Sequence, residues 1–238
     1  ADVDALVIAS LRAAFEYQGQ KCSAASRMYI ADSIWEEFKE KFIAEVSTIE
    51  HGDIEDFDNF MGAVIDDKAF EKITGFIDYV DESDDAEILT GGNYDDSTGY
   101  FIEPTVVQAH TPDFKTMEEE IFGPVLTIYV YDDDKFEETL EICDNTSPYG
   151  LTGAIFARDQ YTLNKMSDKL RHAAGNFYIN DKPTAAVVNQ QPFGGMRKSG
   201  TNDKAGSAAN LMRWLSMRSI KENQNPPKSW RYPYLGDQ

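Results

Sequence analysis

Cysteine, histidine and basic charge are all scarce in this sequence. Its 238 residues include two cysteines and three histidines. Two thiols cannot build a multi-bridge disulfide framework. With His51, His110 and His172 they show no zinc-ligand spacing either. A reducing compartment is therefore the default expectation, and no structural metal is expected. Nor does any His/Asp pair stand in a recognisable arrangement for a solitary cysteine hydrolase. Lysine and arginine number 22 against 42 aspartates and glutamates, for a formal charge of −20. The acids gather in HGDIEDFD, DESDDAE and YDDDKFEE, which read as solvated loops and helix ends. A surface of this sign repels phosphate backbones, so no nucleic-acid partner is expected. Long apolar runs are missing too. None reaches the ~18 residues that a membrane span needs. The opening ADVDALVIAS has no basic stretch ahead of its short apolar one, so neither a membrane anchor nor a signal peptide is expected.

What is present suits a packed domain. Hydrophobic residues make up 42% of the chain. A globule of this length buries roughly 70% of the surface its unfolded chain exposes. Apolar positions at Val3, Leu6, Val7, Leu11, Ala14 and Phe15 have nearly helical spacing. Residues 25–30 read as a strand. Ser33 and Glu36 fit a capping box opening the next helix. A second stripe, Phe70, Ile73, Phe76, Ile77 and Val80, predicts a helix over 68–80. PVLTIYVY, LTGAIFA and AAGNFYIN read as strands, separated by the helical stretches KFEETLEICDNT and QYTLNKMSDKLRHA. This alternation predicts an α/β fold with a largely parallel sheet. Residues 183–206 form a long glycine-rich loop, of the kind that is usually functional or mobile. The aromatic tail QNPPKSWRYPYLGDQ is expected to pack on its own domain or on another subunit.

The two thiols differ in setting. Cys143 lies on the apolar side of a predicted helix and reads as a small core residue. Cys22 sits in a polar loop beside Lys21. A thiolate attacks carbonyl carbons, and local positive potential or backbone donors help it form. One loop cysteine is weak evidence by itself, and a core or incidental thiol remains the alternative.

Three strings bear on that choice. FEYQGQKC (15–22) places Gly-Gln-x-Cys after an aromatic residue, EEIFGPV spans 119–125, and PFGGMRKSG spans 192–200. In this order they resemble the signatures of the aldehyde dehydrogenase superfamily. GYFIEPTVV, AAGNFYINDK, QQPFGG, SGTNDKAG and SWRYPYL resemble one branch of it over nearly the whole chain. That branch oxidises the γ-semialdehyde of glutamate in proline degradation, in the mitochondrial matrix.

The resemblance implies a fold and a set of roles. Residues 1–216 would be the catalytic domain, with a Rossmann-like, largely parallel sheet flanked by helices. Residues 217–238 would be a strand or tail in an oligomer or interdomain contact. NAD is the implied cofactor and a small-molecule aldehyde the implied substrate. The intact enzyme would be a dimer or higher homo-oligomer. Cys22 would attack the aldehyde to give a thiohemiacetal, then a thioester once hydride has left. Its backbone N–H would supply half an oxyanion hole. Glu120 would hold the nicotinamide ribose, with Phe122 packed beside that end of the cofactor. Phe193 would form a wall of the aldehyde pocket.

Ser23 matches the serine that anchors the substrate carboxylate. A glycine-serine pair completes that anchor in the branch, but Ala185 and Ala186 stand in its place here. Such a charge-assisted hydrogen bond contributes about 1.5–3 kcal/mol, so altered specificity is a second expectation.

Other parts of the family pattern do not occur in the chain. They are the E-L-G-G-K-like string with its general base, the asparagine of the oxyanion hole, and the N-terminal NAD-binding domain. The chain alone is therefore expected not to turn over. A dehydrogenase of another aldehyde and a non-catalytic assembly module are the alternatives.

Overall fold

The computed structural model describes residues 1–184 and 186–236. In chain order the helices are α1 Val3–Phe15, α2 Asp32–Val46, α3 Asp67–Asp81, α4 Lys115–Glu118, α5 Phe136–Asn145, α6 Gln160–Lys169 and α7 Ala208–Met212. The strands are β1 Arg27–Ala31, β2 Ala86–Thr90, β3 Tyr94–Asp95, β4 Phe101–Ile102, β5 Thr105–Ala109, β6 Val125–Tyr131, β7 Tyr149–Gly150, β8 Thr152–Ile155, β9 Asn176–Ile179 and β10 Met196–Arg197.

Alternation along three strands builds the layers. The main sheet runs β1-β6-β5-β2, with β1, β6 and β5 parallel and β2 antiparallel on the edge. Successive strand residues point to opposite faces. Val106, Leu126, Ile128 and Ile30 meet α1 and α2 on one face, through Leu6, Val7, Phe15, Phe38 and Phe42. Val107, Ala109 and Val125 meet α3 and the α4 turn on the other, through Ile73, Ile77, Val80 and Met117. On that second face Thr127 Oγ1 donates to Thr116 Oγ1 at 2.8 Å, which satisfies both buried hydroxyls. A third cluster joins α5 and α6 to the parallel pair β8-β9, through Leu140, Ile155, Leu163, Met166 and Leu170. Cys143 is half-buried and packs against this cluster. The result is the α/β class read from the sequence, with helices on both faces of a mostly parallel sheet.

Part of the acid excess has a structural use. Asp2, Asp66 and Asp159 cap α1, α3 and α6 by accepting from the N–H groups of Ala5, Ala69 and Thr162. Asp53 and Asp56 close side-chain turns in the HGDIEDFD loop.

The Ser33 capping box does not form. α2 starts at Asp32, two residues earlier than a Ser33 N-cap would place it, and Ala31 at its N-cap makes no side-chain bond. Ser33 instead donates from both N and Oγ to Asp133, at 3.0 and 2.6 Å, tying α2 to the turn before α5. Among the described residues, 213–236 carry only the short turn Pro233–Leu235 as regular structure. Trp214, Trp230, Tyr232 and Tyr234 are exposed, so the tail does not pack on its own domain. Among the described residues, no helix is long and apolar enough to cross a membrane.

Candidate active site

A strained turn delivers Cys22. Past α1 the backbone passes through Tyr17, Gln18 and Gly19 with φ of 57°, 57° and 63°. Left-handed geometry costs a non-glycine residue roughly 1–2 kcal/mol, so packing must hold it in place. Gly19 supplies that packing. A Cβ at this position would lie 2.3 Å from the carbonyl oxygen of Gly123 and 2.7 Å from that of Ala14. The EYQG turn therefore lies directly on the EEIFG loop. Gln20 reaches across to accept from Ile65 N at 3.0 Å. Cys22 follows in a turn closed by Ala24 N donating to Lys21 O at 3.1 Å, and its side chain is exposed.

The facing loop is rooted on one side and open on the other. Ile121 is buried in the second core cluster. Its neighbour Phe122 has φ 64° and is exposed. The carbonyl of Glu120 accepts from Lys72 Nζ at 2.6 Å, which fixes the loop to α3.

Cys22, Lys21, Glu120, Phe122 and Lys182 border one cavity of about 750 Å³. It extends between β1 and β8, whose facing edges are not paired with each other. The structure thus brings Cys22, Glu120 and Phe122 together. Ser23, Ala186 and Phe193 do not border the cavity. Ser23 accepts through its backbone carbonyl from Thr152 Oγ1 at 3.5 Å. Ala186 is exposed, and Ala185 lies outside the described residues. Phe193 is half-buried and bridges to Ala205.

Two groups of contacts went unseen in the sequence. In the first, Glu16 accepts from Lys21 Nζ at 2.9 Å and from Lys182 Nζ at 2.7 and 2.9 Å. Burial opposes charge on Glu16, but the hydrogen bonds from Lys182 and Lys21 outweigh it and hold the carboxyl below its usual value. In the second, Lys204 Nζ donates to Gly175 O at 2.5 Å, Asn176 Oδ1 at 3.2 Å and Gly194 O at 3.4 Å. These acceptors are neutral, and among the described residues Lys204 has no carboxylate partner. Burial lowers its pKa. The cage closes the loop bearing Phe193 onto β9, at a point where a Cβ on Gly175 would lie 2.0 Å from Gly194 O. A lysine after Asn-Asp gives no sequence signal of either arrangement. Cys143 borders the same cavity from α5, and burial pushes its thiol pKa up.

A mostly parallel sheet between two helical layers, with a loop cysteine exposed beside a cavity, defines an α/β protein. The pattern of the aldehyde dehydrogenase family matches residues 1–220, and the chain belongs to that family. It is 57% identical over 236 residues to the mitochondrial delta-1-pyrroline-5-carboxylate dehydrogenase of Dictyostelium discoideum, covering 99% of this chain and 42% of that protein. The human mitochondrial enzyme of that name is 50% identical over the same length, again with 99% and 42% covered. The solved delta-pyrroline-5-carboxylate dehydrogenase of Mycobacterium tuberculosis with bound NAD is 46% identical, with a TM-score of 0.85. That match covers 100% of this chain and 43% of the other. The chain thus spans about 42% of the length of the curated relatives it matches.

Proposed function

We propose that this chain is the nucleophile-bearing part of an NAD-dependent dehydrogenase. Its substrate would be glutamate γ-semialdehyde, the open form of Δ1-pyrroline-5-carboxylate, and its product glutamate. The observation that carries the reading is the placement of Cys22. It is exposed in the turn that follows the strained Tyr17–Gly19 stretch, at a cavity it shares with Glu120 and Phe122. Its relatives carry the name of that activity.

In this reading Cys22 Sγ bonds to the aldehyde carbon. The carbonyl oxygen becomes an oxyanion near the Cys22 N–H, a donor aimed at developing charge. Glu120 and Phe122 fit the nicotinamide end of NAD, with a carboxylate for ribose hydroxyls and an aromatic face beside them. NAD bound there would supply the hydride acceptor for that carbon. The thioester left on Cys22 is then hydrolysed. The base for that step and the second oxyanion donor come from sequence outside this chain.

The test is a steady-state panel on the full-length protein. It uses aldehydes of matched length, with and without an α-carboxylate. A preference for the carboxylate-bearing members by kcat/KM is expected. Faster oxidation of simple aldehydes would favour the second reading, a dehydrogenase of a different aldehyde. Ala186, which has no hydroxyl to donate, is the observation on that side.

The exposed aromatic tail supports a homo-oligomer in which residues 224–238 pack on a second copy. The solution mass of the full-length protein is expected to fall when they are removed. An unchanged mass would sink that contact. The relatives' names support a mitochondrial setting.

A further inference from the structure

Two ammonium groups beside Cys22 share a single carboxylate. Lys21 Nζ and Lys182 Nζ both donate to Glu16, and among the described residues neither ammonium group has another carboxylate partner, while the Lys182 backbone N–H donates to Asp181. All three side chains are mostly buried, at 31%, 22% and 27% exposure for Lys21, Lys182 and Glu16. One negative charge against two positive leaves an excess of +1, in a chain whose formal charge is −20. Both lysines border the cavity of Cys22. Lys21 precedes the nucleophile in the chain, and Lys182 begins the segment leading to Ala186. The acidic side chains of Glu118, Glu119 and Glu120 border the same cavity from the opposite loop.

We propose that Lys21 and Lys182 are specificity-determining residues, whose unneutralised charge favours aldehydes carrying a carboxylate at Cys22. This rests on the reading of Cys22 as the nucleophile. A partly buried unit charge acts across several ångströms. Salt screens it over about 8 Å at physiological ionic strength, a distance on the scale of a small-molecule cavity. The charge also supplies attraction where Ala186 has no hydroxyl to offer.

The experiment reads the potential at Cys22 without relying on turnover. Iodoacetate and iodoacetamide alkylate thiols by the same displacement of iodide. They differ by one negative charge at nearly equal size. Their rate constants at Cys22 are measured in the full-length protein by site-resolved mass spectrometry. The ratio of iodoacetate to iodoacetamide is expected to fall about fivefold in Lys182→Met and in Lys21→Met, about what a screened unit charge produces across several ångströms. It is expected to rise in Glu16→Gln, which removes the compensating carboxylate. High salt should reduce the wild-type ratio. The iodoacetamide rate alone reports any general disturbance of the turn, and the paired lysine variants guard against one that fails to fold.

In parallel, the kcat/KM preference for carboxylate-bearing over neutral aldehydes is expected to fall by a similar factor in Lys182→Met. A ratio that moves in neither lysine variant overturns the proposal. So does a Cys22 that neither reagent reaches. If the ratio responds as expected but no aldehyde is oxidised, the charge assignment stands and the dehydrogenase reading fails.

Discussion

Replacement of Cys22 by alanine is expected to lower kcat/KM for aldehyde oxidation by the full-length protein by on the order of 10⁴–10⁶-fold, the usual cost of deleting a covalent nucleophile. Fold and cofactor binding should survive, because the side chain is exposed and supports no core contact. Thermal unfolding and NAD titration of the variant separate loss of chemistry from loss of structure. Cys143 cannot take over. It is the other thiol of the chain, and burial raises its pKa away from the reactive range. Activity within tenfold of wild type would place the nucleophile elsewhere and end the reading of the GQKC turn as catalytic.

Substitution of Gly19 by alanine is expected to cost roughly 2–5 kcal/mol. That sums a left-handed backbone at φ +63° and a Cβ forced against backbone oxygens that cannot rotate away. The damage should reach activity as well, since Gly19 seats the Cys22 turn on the EEIFG loop. Gly75 is the matched control. It lies inside α3 with nothing within 4 Å of an added Cβ, so Gly75→Ala should stabilise by about 1 kcal/mol through helix propensity alone. Urea unfolding midpoints of the two variants should move in opposite directions. A Gly19→Ala midpoint equal to that of wild type would contradict the close approach to Gly123.

The sequence revealed patterns that repeat locally and little that depends on distant partners. PVLTIYVY and the 3.6-residue stripe of α3 announced β6 and α3 because each buries a face set by its own period. The string EYQGQKC marked the Cys22 turn. Its three left-handed residues were not foreseen, because only Gly19 among them is a type that favours such geometry. Ser33-x-x-Glu36 looked like a capping box, yet Asp133, 100 residues on, offered Ser33 a carboxylate acceptor. EILTGG reads as extended, and β2 is a strand there, but its antiparallel direction was hidden for the same reason, since AEILT has no residue that states direction. Lys21 drew notice only as the neighbour of Cys22, and Glu16 and Lys182 drew none, until folding set the three side by side. The aromatic tail signalled burial, and the chain itself supplies no surface against it.

The Lys204 cage bears on how the Phe193 loop responds to its medium. Three neutral oxygens around one cation are a donor set that a free potassium ion could also satisfy. A loop pinned by a free ion would loosen on dialysis, and its order would track the ion's concentration. Here the cation is tethered to the loop it closes. Its effective concentration is set by a short stretch of chain and not by the solvent. The loop's closure is thus a unimolecular event, indifferent to dilution.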